Sequence, residues 1–333
     1  MAEKVKLACI GTGRWGSTLA DAVERTGEAV IVSGWARRPE GREAFAAQHS
    51  CGAAGTLEEL LSDPEVEGVI ITTSHQSHRE MIEQAAAAGK HVFVDKPFTN
   101  TVEDGIGAIA AARDAGVILQ VGHQRRRTAA KRRIKSMLEA DQLGDVETIV
   151  TMQSIPNGFK MPEEAWRWDP AQSPLGSMTS LGVHKIDTIN YLAGPVRSVF
   201  CFTRPGRSKP IDEATVLAME LESGALATLT TSFFTPVMNN TAVFGTNGAA
   251  FSSEGGDVLK LMGRDDPAPV EVALERIDPL VDQMTAFAAA VRGEAPVEVD
   301  GEAGLAVIAV MEAAVESAAT RRAVEVASVL SKV

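Results

Sequence analysis

VKLACIGTGRWG, residues 5–16, is the stretch from which the rest of the chain can be read. Its apolar run of Val5, Leu7, Ala8, Cys9 and Ile10 stops at Gly11. Gly11, Gly13 and Gly16 then carry G-x-G-x-x-G spacing into Ser17 to Arg25, which reads as a helix. A strand, a tight turn and a helix N-terminus in that order make a dinucleotide cradle. Gly11 permits the turn, Gly13 without a Cβ lets the backbone approach a pyrophosphate, and Gly16 lets the helix lie close to the strand. Unpaired N–H groups of the first helical turn then face the anion. Thr12, Arg14 and Trp15 share this turn and are candidate cofactor contacts with the three glycines. A Walker A reading fails at Ser17, which stands where the phosphate-binding lysine is required.

A second strand, Ala29 to Gly34, follows about twenty residues on, where such a fold keeps its ribose reader. An NAD site offers Asp or Glu there, but this chain reads Trp35-Ala36-Arg37-Arg38-Pro39. Two guanidinium groups suit a 2′-phosphate that a carboxylate would repel, so Arg37 and Arg38 favour NADP over NAD.

Composition narrows the class. A chain of 333 residues is long for one core, so two domains are expected. Net charge is -12, which argues against general nucleic-acid binding or attraction to an anionic membrane. No charged-then-apolar leader precedes the first strand, and no stretch is expected to reach the ~20 apolar residues of a membrane span. Cys9, Cys51 and Cys201 are scattered and odd in number, so neither a disulfide framework nor a cysteine metal site is expected. A cytoplasmic enzyme with no metal is the plain expectation.

Along the chain, helical patterns at Pro39 to His49 and Thr56 to Leu61 precede a continuous apolar strand, Gly68 to Thr73. Such a run is typical of a parallel strand covered on both faces. Ser74 to His78 follows, then an Ala-rich helix, a strand at His91 to Val94, a helix at Thr101 to Ala115 and a strand at Val117 to Val121. The alternation predicts an α/β fold with an N-terminal doubly wound parallel sheet, its ligands at the carboxyl ends of the strands, over residues 1–124. From about Ile149 strands alternate apolar and polar, with a hairpin turn at Ser223-Gly224. Residues 125–333 are therefore expected to form an α+β domain with a mainly antiparallel open sheet. One strong helix, from near Gly176 to Gly194-Pro195, precedes that sheet, and the closing helices brace both domains.

Taken together, these residues resemble the glucose-fructose oxidoreductase, inositol dehydrogenase and MocA family over essentially the whole chain. The resemblance rests on the glycine turn, Asp95-Lys96-Pro97 where relatives usually carry Glu-Lys-Pro, and Gly122-His123-Gln124-Arg125. It continues through Trp166-Arg167, Gly182-x-His184-x-x-Asp187 and Gly245-Thr246-Asn247-Gly248. It implies an NADP-dependent oxidoreductase acting on a secondary alcohol and ketone, or a lactol and lactone, of a sugar, cyclitol or related polyol. A cofactor-dependent glycosidase and a dinucleotide- or sugar-sensing regulator are the alternatives, and a homodimer or homotetramer is expected.

The residues carry the same chemistry on their own terms. Lys96 ends a buried strand beside the expected nicotinamide, where burial disfavours its charge, although pairing with Asp95 is the plainer alternative. Ser180, His184 and Asp187 fall at i, i+4 and i+7, one face of a helix, so His184 is a candidate base with Asp187 as its orienter. Relatives usually carry Asp where Ser180 stands, and a serine cannot replace a carboxylate. Arg167 and Ser180 are expected at the substrate, with Trp166 and Arg167 near the nicotinamide. Thr73, Ser74, His78, Asp95 and Gln124 are expected along the cofactor cleft. The basic run from Arg125 to Lys135 reads as a solvated helical face, with Arg125 near enough to a strand end to meet a substrate carboxylate. Rival enzymes lack their signatures: Tyr191 has Pro195 where a short-chain dehydrogenase needs lysine, and no G-x-S-x-G occurs.

Overall fold

The computed structural model describes residues 3–207 and 209–332. It divides into two compact units, Met1–Gln124 with Asp278–Leu305, and Arg125–Ile277 with Ala306–Val333.

The first unit runs β1 (Val5–Ile10), α1 (Arg14–Thr26), β2 (Ala29–Trp35), α2 (Pro39–His49), β3 (Gly52–Ala53), α3 (Leu57–Ser62), β4 (Gly68–Ile71), α4 (His78–Ala87), β5 (His91–Val94), α5 (Val102–Asp114) and β6 (Leu119–Val121). Its strands form one parallel sheet in the order β3-β2-β1-β4-β5-β6. From β1 the chain winds first through β2 to one edge and then through β4 to the other. The switch point, where such sheets bind ligands, therefore lies at the carboxyl ends of β1 and β4. β4 is apolar throughout, and β1 is apolar except at the half-buried Lys6, because both faces are covered.

A later segment completes this core. The helix Pro279–Val291 is capped by Asp278, whose carboxylate accepts from the amides of Leu280 and Val281. It lays Met284, Phe287 and Ala288 into the cluster built by Leu19, Val23, Ile70 and Phe93. Phe287 meets Phe93 edge-on, ring centroids 5.8 Å apart. Gln283, on the same helix, accepts at its backbone carbonyl from Gln120 of β6 at 3.2 Å.

The second unit contains α6 (Ala129–Glu139), β7 (Val146–Ser154), α7 (Val183–Ala193), β8 (Val196–Arg204), β9 (Ala214–Leu221), β10 (Leu226–Ser232), β11 (Met238–Gly245), β12 (Gly248–Ser253), β13 (Val258–Gly263), β14 (Val270–Val272) and β15 (Val324–Glu325). The sheet order is β14-β13-β12-β11-β7-β10-β9-β8-β15, antiparallel except for the β7–β10 pair. Strand β12, GAAFSS, was not foreseen, because alanine, serine and glycine carry little strand signal. Residues of β9 alternate: Thr215, Leu217, Met219 and Leu221 are buried while Val216 and Ala218 face out. On that outer face Phe202 pairs with Val216 across β8 and β9, and Val150 lies in the next row. Phe202 is 54% and Val150 45% exposed.

One expectation needs correction. The 20-residue helix Gly301–Thr320 is long and apolar enough to cross a membrane by length and composition, although Glu302, Glu312 and Glu316 interrupt it. Half of its most apolar stretch is buried within the protein, and a long buried helix meets the same criteria.

Candidate active site

Three glycines shape the cavity of the first unit, each for a different reason. Gly11 follows β1 with φ +104°, in the region side chains avoid, and a Cβ there would come 2.9 Å from the Thr72 backbone. The Thr72 hydroxyl donates to the Gly11 carbonyl at 2.7 Å, tying the ends of β1 and β4 together. A Cβ at Gly16 would stand 2.1 Å from the Gly11 carbonyl oxygen, so only glycine lets α1 sit this close. A Cβ at Gly13 would meet no protein atom within 4 Å. The space beside Gly13 therefore belongs to something the protein fold does not fill.

That space is a cavity of about 740 Å³, lined by Gly11, Thr12 and Gly13, by Trp35 at the end of β2 and Ala36 to Arg38 beyond it, and by Thr73, Ser74 and Ser77 after β4. Gly13 caps α1 without a side-chain hydrogen bond, and no acid occupies the first turn. The first amides and the positive end of the helix dipole are thus available to an anion. Arg37 and Arg38 are in the wall, and the end of β2 offers no carboxylate. Glu80 is the acid in the lining, on the first turn of α4, with Gln84 donating to it at 3.0 Å. The residues present fit a phosphate-bearing dinucleotide. Arg14 is the exposed first residue of α1, and Trp15, half-buried, packs against the core.

After β5 the chain turns at Asp95-Lys96-Pro97, and the Lys96–Pro97 peptide is cis. His78 lies behind this turn, 1% exposed, with Nδ1 3.0 Å from the Pro97 carbonyl and 3.1 Å from that of Phe98, and Nε2 3.3 Å from that of Thr73. It braces the two strand ends rather than lining the cavity. Burial lowers its pKa, so the carbonyls are met by a ring that resists protonation. Burial likewise pushes the Asp95 carboxyl up, and the Lys96 ammonium and the Trp15 indole pull the other way. Gln124, which follows β6, is buried with its Oε1 unpaired.

In the second unit, α7 is entered through a π turn, Met178–Gly182. The turn is pinned to the sheet: Ser177 donates to Thr231 at 2.9 Å, Thr215 donates to the Leu175 carbonyl at 2.9 Å, and Gly176, φ +59°, lies against the Asp212 carbonyl. A π turn widens the register, so α-helical spacing does not by itself place Ser180 relative to His184. Ser180 is half-buried and accepts from Arg167 Nε at 3.3 Å, joining two of the predicted substrate residues. The Arg167 guanidinium lies over the Trp166 ring, 4.4 Å from its centroid, and burial lowers the arginine's pKa. His184 is 6% exposed and Asp187 fully buried.

Arg126 emerges as a partner of Asp187. Its Nε lies 3.1 Å from each carboxylate oxygen, Nη2 also bonds Oδ1, and the guanidinium sits over the Tyr191 ring. The reading of the basic run as a solvated face is corrected here. Arg126, Arg127 and Lys131 are buried and Arg125 is half-buried, whereas Arg133 is exposed. Charge alone hid this. A signal was nevertheless present, since Lys131 lies on the stripe shared by Ile134 and Leu138, and Lys185 on that of Ile189 and Leu192, where apolar residues belong.

Comparison with known proteins places the chain. A family model described as an oxidoreductase family with an NAD-binding Rossmann fold matches residues 5–123, and one described as a GFO/IDH/MocA C-terminal domain matches residues 132–251. The chain is 28% identical to 1,5-anhydro-D-fructose reductase of Ensifer adhaerens, over 94% of this chain and 98% of that protein. It is 29% identical to a D-xylose 1-dehydrogenase (NADP+) of Haloferax volcanii, over 82% of this chain and 84% of the relative. The crystal structure of an oxidoreductase from Desulfitobacterium hafniense superposes with a TM-score of 0.95 at 31% identity, covering 99% of this chain and all of that one.

Proposed function

Because the chain belongs to the Gfo/Idh/MocA family of sugar and polyol oxidoreductases with an NAD(P)-binding Rossmann fold, we propose that it transfers a hydride between NADP and a secondary alcohol or ketone, or a lactol or lactone, of a sugar or related ring polyol. The observation that carries the cofactor choice is the cavity wall at Arg37 and Arg38, where two guanidinium groups stand and no carboxylate ends β2. The glycine turn and the open amides of α1 would hold the pyrophosphate.

When bound, the nicotinamide accepts or supplies the hydride at the carbon that changes oxidation state. Lys96 donates a hydrogen bond to the reacting oxygen and lowers the cost of charge developing there. His184 takes the hydroxyl proton on oxidation and returns it on reduction, and Asp187 fixes the ring's orientation. Asp187 is itself held by Arg126. Ser180 and Arg167, already hydrogen-bonded to each other, offer a hydroxyl and guanidinium donors to the substrate's other oxygens. The outward face of the second unit's sheet, with Phe202, Val216 and Val150, would be covered in a homodimer or homotetramer.

The test is near-ultraviolet absorbance of the reduced cofactor, with NADP or NAD, against sugars, cyclitols and uronic acids. Turnover with NADP that falls by about 10²-fold or more in Lys96→Ala and in His184→Ala supports the reading. Tight NADPH binding without turnover of any substrate would remove it in favour of a sensor.

A further inference from the structure

Three cations of the second unit, Arg125, Lys131 and Lys185, meet where α6 and α7 face β11 and β12. Lys131 is 2% and Lys185 3% exposed. Lys131 Nζ donates to Ser252 Oγ of β12 at 2.9 Å, and Lys185 Nζ to the Asn240 carbonyl at 2.7 Å and Thr241 Oγ1 at 3.2 Å, both on β11. All these acceptors are neutral. The Arg125 guanidinium has a buried Nε with no hydrogen-bond partner, and its Nη1 faces Gly255, a loop residue without a side chain.

The three are close enough to feel one another. Burial is the main cause that disfavours both lysines as cations; Arg125 adds to it at Lys131, and Lys131 and Arg125 add to it at Lys185. Asp257 is the carboxylate that acts on Arg125 and Lys131, and none of the three cations forms an ion pair among the described residues. Burying several like charges against one unpaired acid is costly, and natural folds usually supply a counterion. A pair of flexible ammonium groups and an arginine fork are the donors used for compact oxyanions.

We propose that Arg125, Lys131 and Lys185 form an oxyanion site, which takes the carboxylate or phosphate group of a small molecule. Arg125, the least buried of the three, is the point of entry beside Gly255, and the two lysines hold the anion from the sheet side. Lys185 directly follows His184 on α7, so an acidic substituent of the substrate is one source of the anion and free inorganic phosphate the other. The assignment rests on this geometry and does not require the hydride-transfer reading.

Titration calorimetry of the whole protein with inorganic phosphate and with glucuronate, in buffer free of other oxyanions, tests it. Saturable 1:1 binding is expected, weakened about tenfold or more in Lys131→Met and in the half-exposed Arg125→Gln, and unchanged in Lys260→Gln on β13. Arg125→Gln keeps the test open if Lys131→Met fails to fold. Absence of binding, or equal binding by both site variants, would overturn the site and leave the lysines as neutral structural donors. The source is read from turnover. Phosphate that raises KM for an acidic sugar but not for a neutral one identifies the substrate's own acid group. Phosphate that binds without moving either KM identifies a free anion.

Discussion

Arg126 grips Asp187 through a fork: Nε reaches both carboxylate oxygens at 3.1 Å and Nη2 closes on Oδ1, while the guanidinium plane covers Tyr191 at 5.1 Å from the ring centroid. Both side chains are almost wholly buried. The carboxylate that follows His184 by one helical turn is thus fixed from outside its own helix.

Breaking this pair by removing one partner leaves a buried charge without its counterpart. Arg126→Ala is expected to lose about 3–5 kcal/mol of stability in urea unfolding. Replacing both residues with apolar ones should recover most of the loss. Arg126→Lys should recover little, because an ammonium cannot reproduce the fork.

Gly13 and Gly16 separate fold from ligand. Gly16→Ala puts a methyl 2.1 Å from the Gly11 carbonyl and should lower the melting temperature measurably. Gly13→Ala meets nothing in the protein, so its stability should stay within about 0.5 kcal/mol of the parent. Its dinucleotide affinity, followed by cofactor fluorescence, should nonetheless fall. Unchanged affinity would show that the cavity beside Gly13 is not where the pyrophosphate sits.

Arg37 and Arg38 carry the cofactor preference. Each charge-assisted contact to a 2′-phosphate is worth about 1.5–3 kcal/mol, so Arg37→Ala should weaken NADP binding by roughly 10- to 100-fold and leave NAD nearly untouched. Competition binding with the two cofactors decides it, and equal losses for both would show that the arginine reads no phosphate.

Burial, with Arg125 as the lesser cause, brings Lys131 down from 10.5 to about 8, partly offset by Asp257, and Lys185 is lowered by burial first and by Lys131 and Arg125 after it. Between those two pH values the unfolded chain carries a proton on Lys131 that the folded chain has shed. Stability in anion-free buffer should therefore rise with pH from about 8 to 10.5, by about 3 kcal/mol at most from this group. The rise should be smaller in Lys131→Met, and a flat difference between the two proteins would contradict the shift.

Much of the fold could be read directly from residue order. Apolar runs such as Gly68 to Ile71, bounded by glycine and polar turns, have few conformations that bury them, and the alternation with helices leaves a parallel sheet as the solution. The segment Pro279–Val291 reads as a helix in the sequence, but its place in the core of the first unit does not. Its partners, Leu19 and Phe93, lie nearly two hundred residues or more earlier in the chain, and packing of that kind leaves no local signature.

Local chemistry set what the sequence determined by itself: the glycine turn, the absent acid after β2, the Asp95-Lys96-Pro97 turn and the family pattern all depend on neighbours within a few residues. Tertiary structure alone decided which charges are buried and what they touch. Arg126 reaches Asp187 across 61 residues, Lys131 reaches Ser252 across 121, and Ser180 accepts from Arg167 across 13. A lysine or arginine in sequence looks solvated because ionic groups strongly prefer water. The apolar stripes around Lys131 and Lys185 hint that the preference is overruled there, and the packed fold shows what those cations touch.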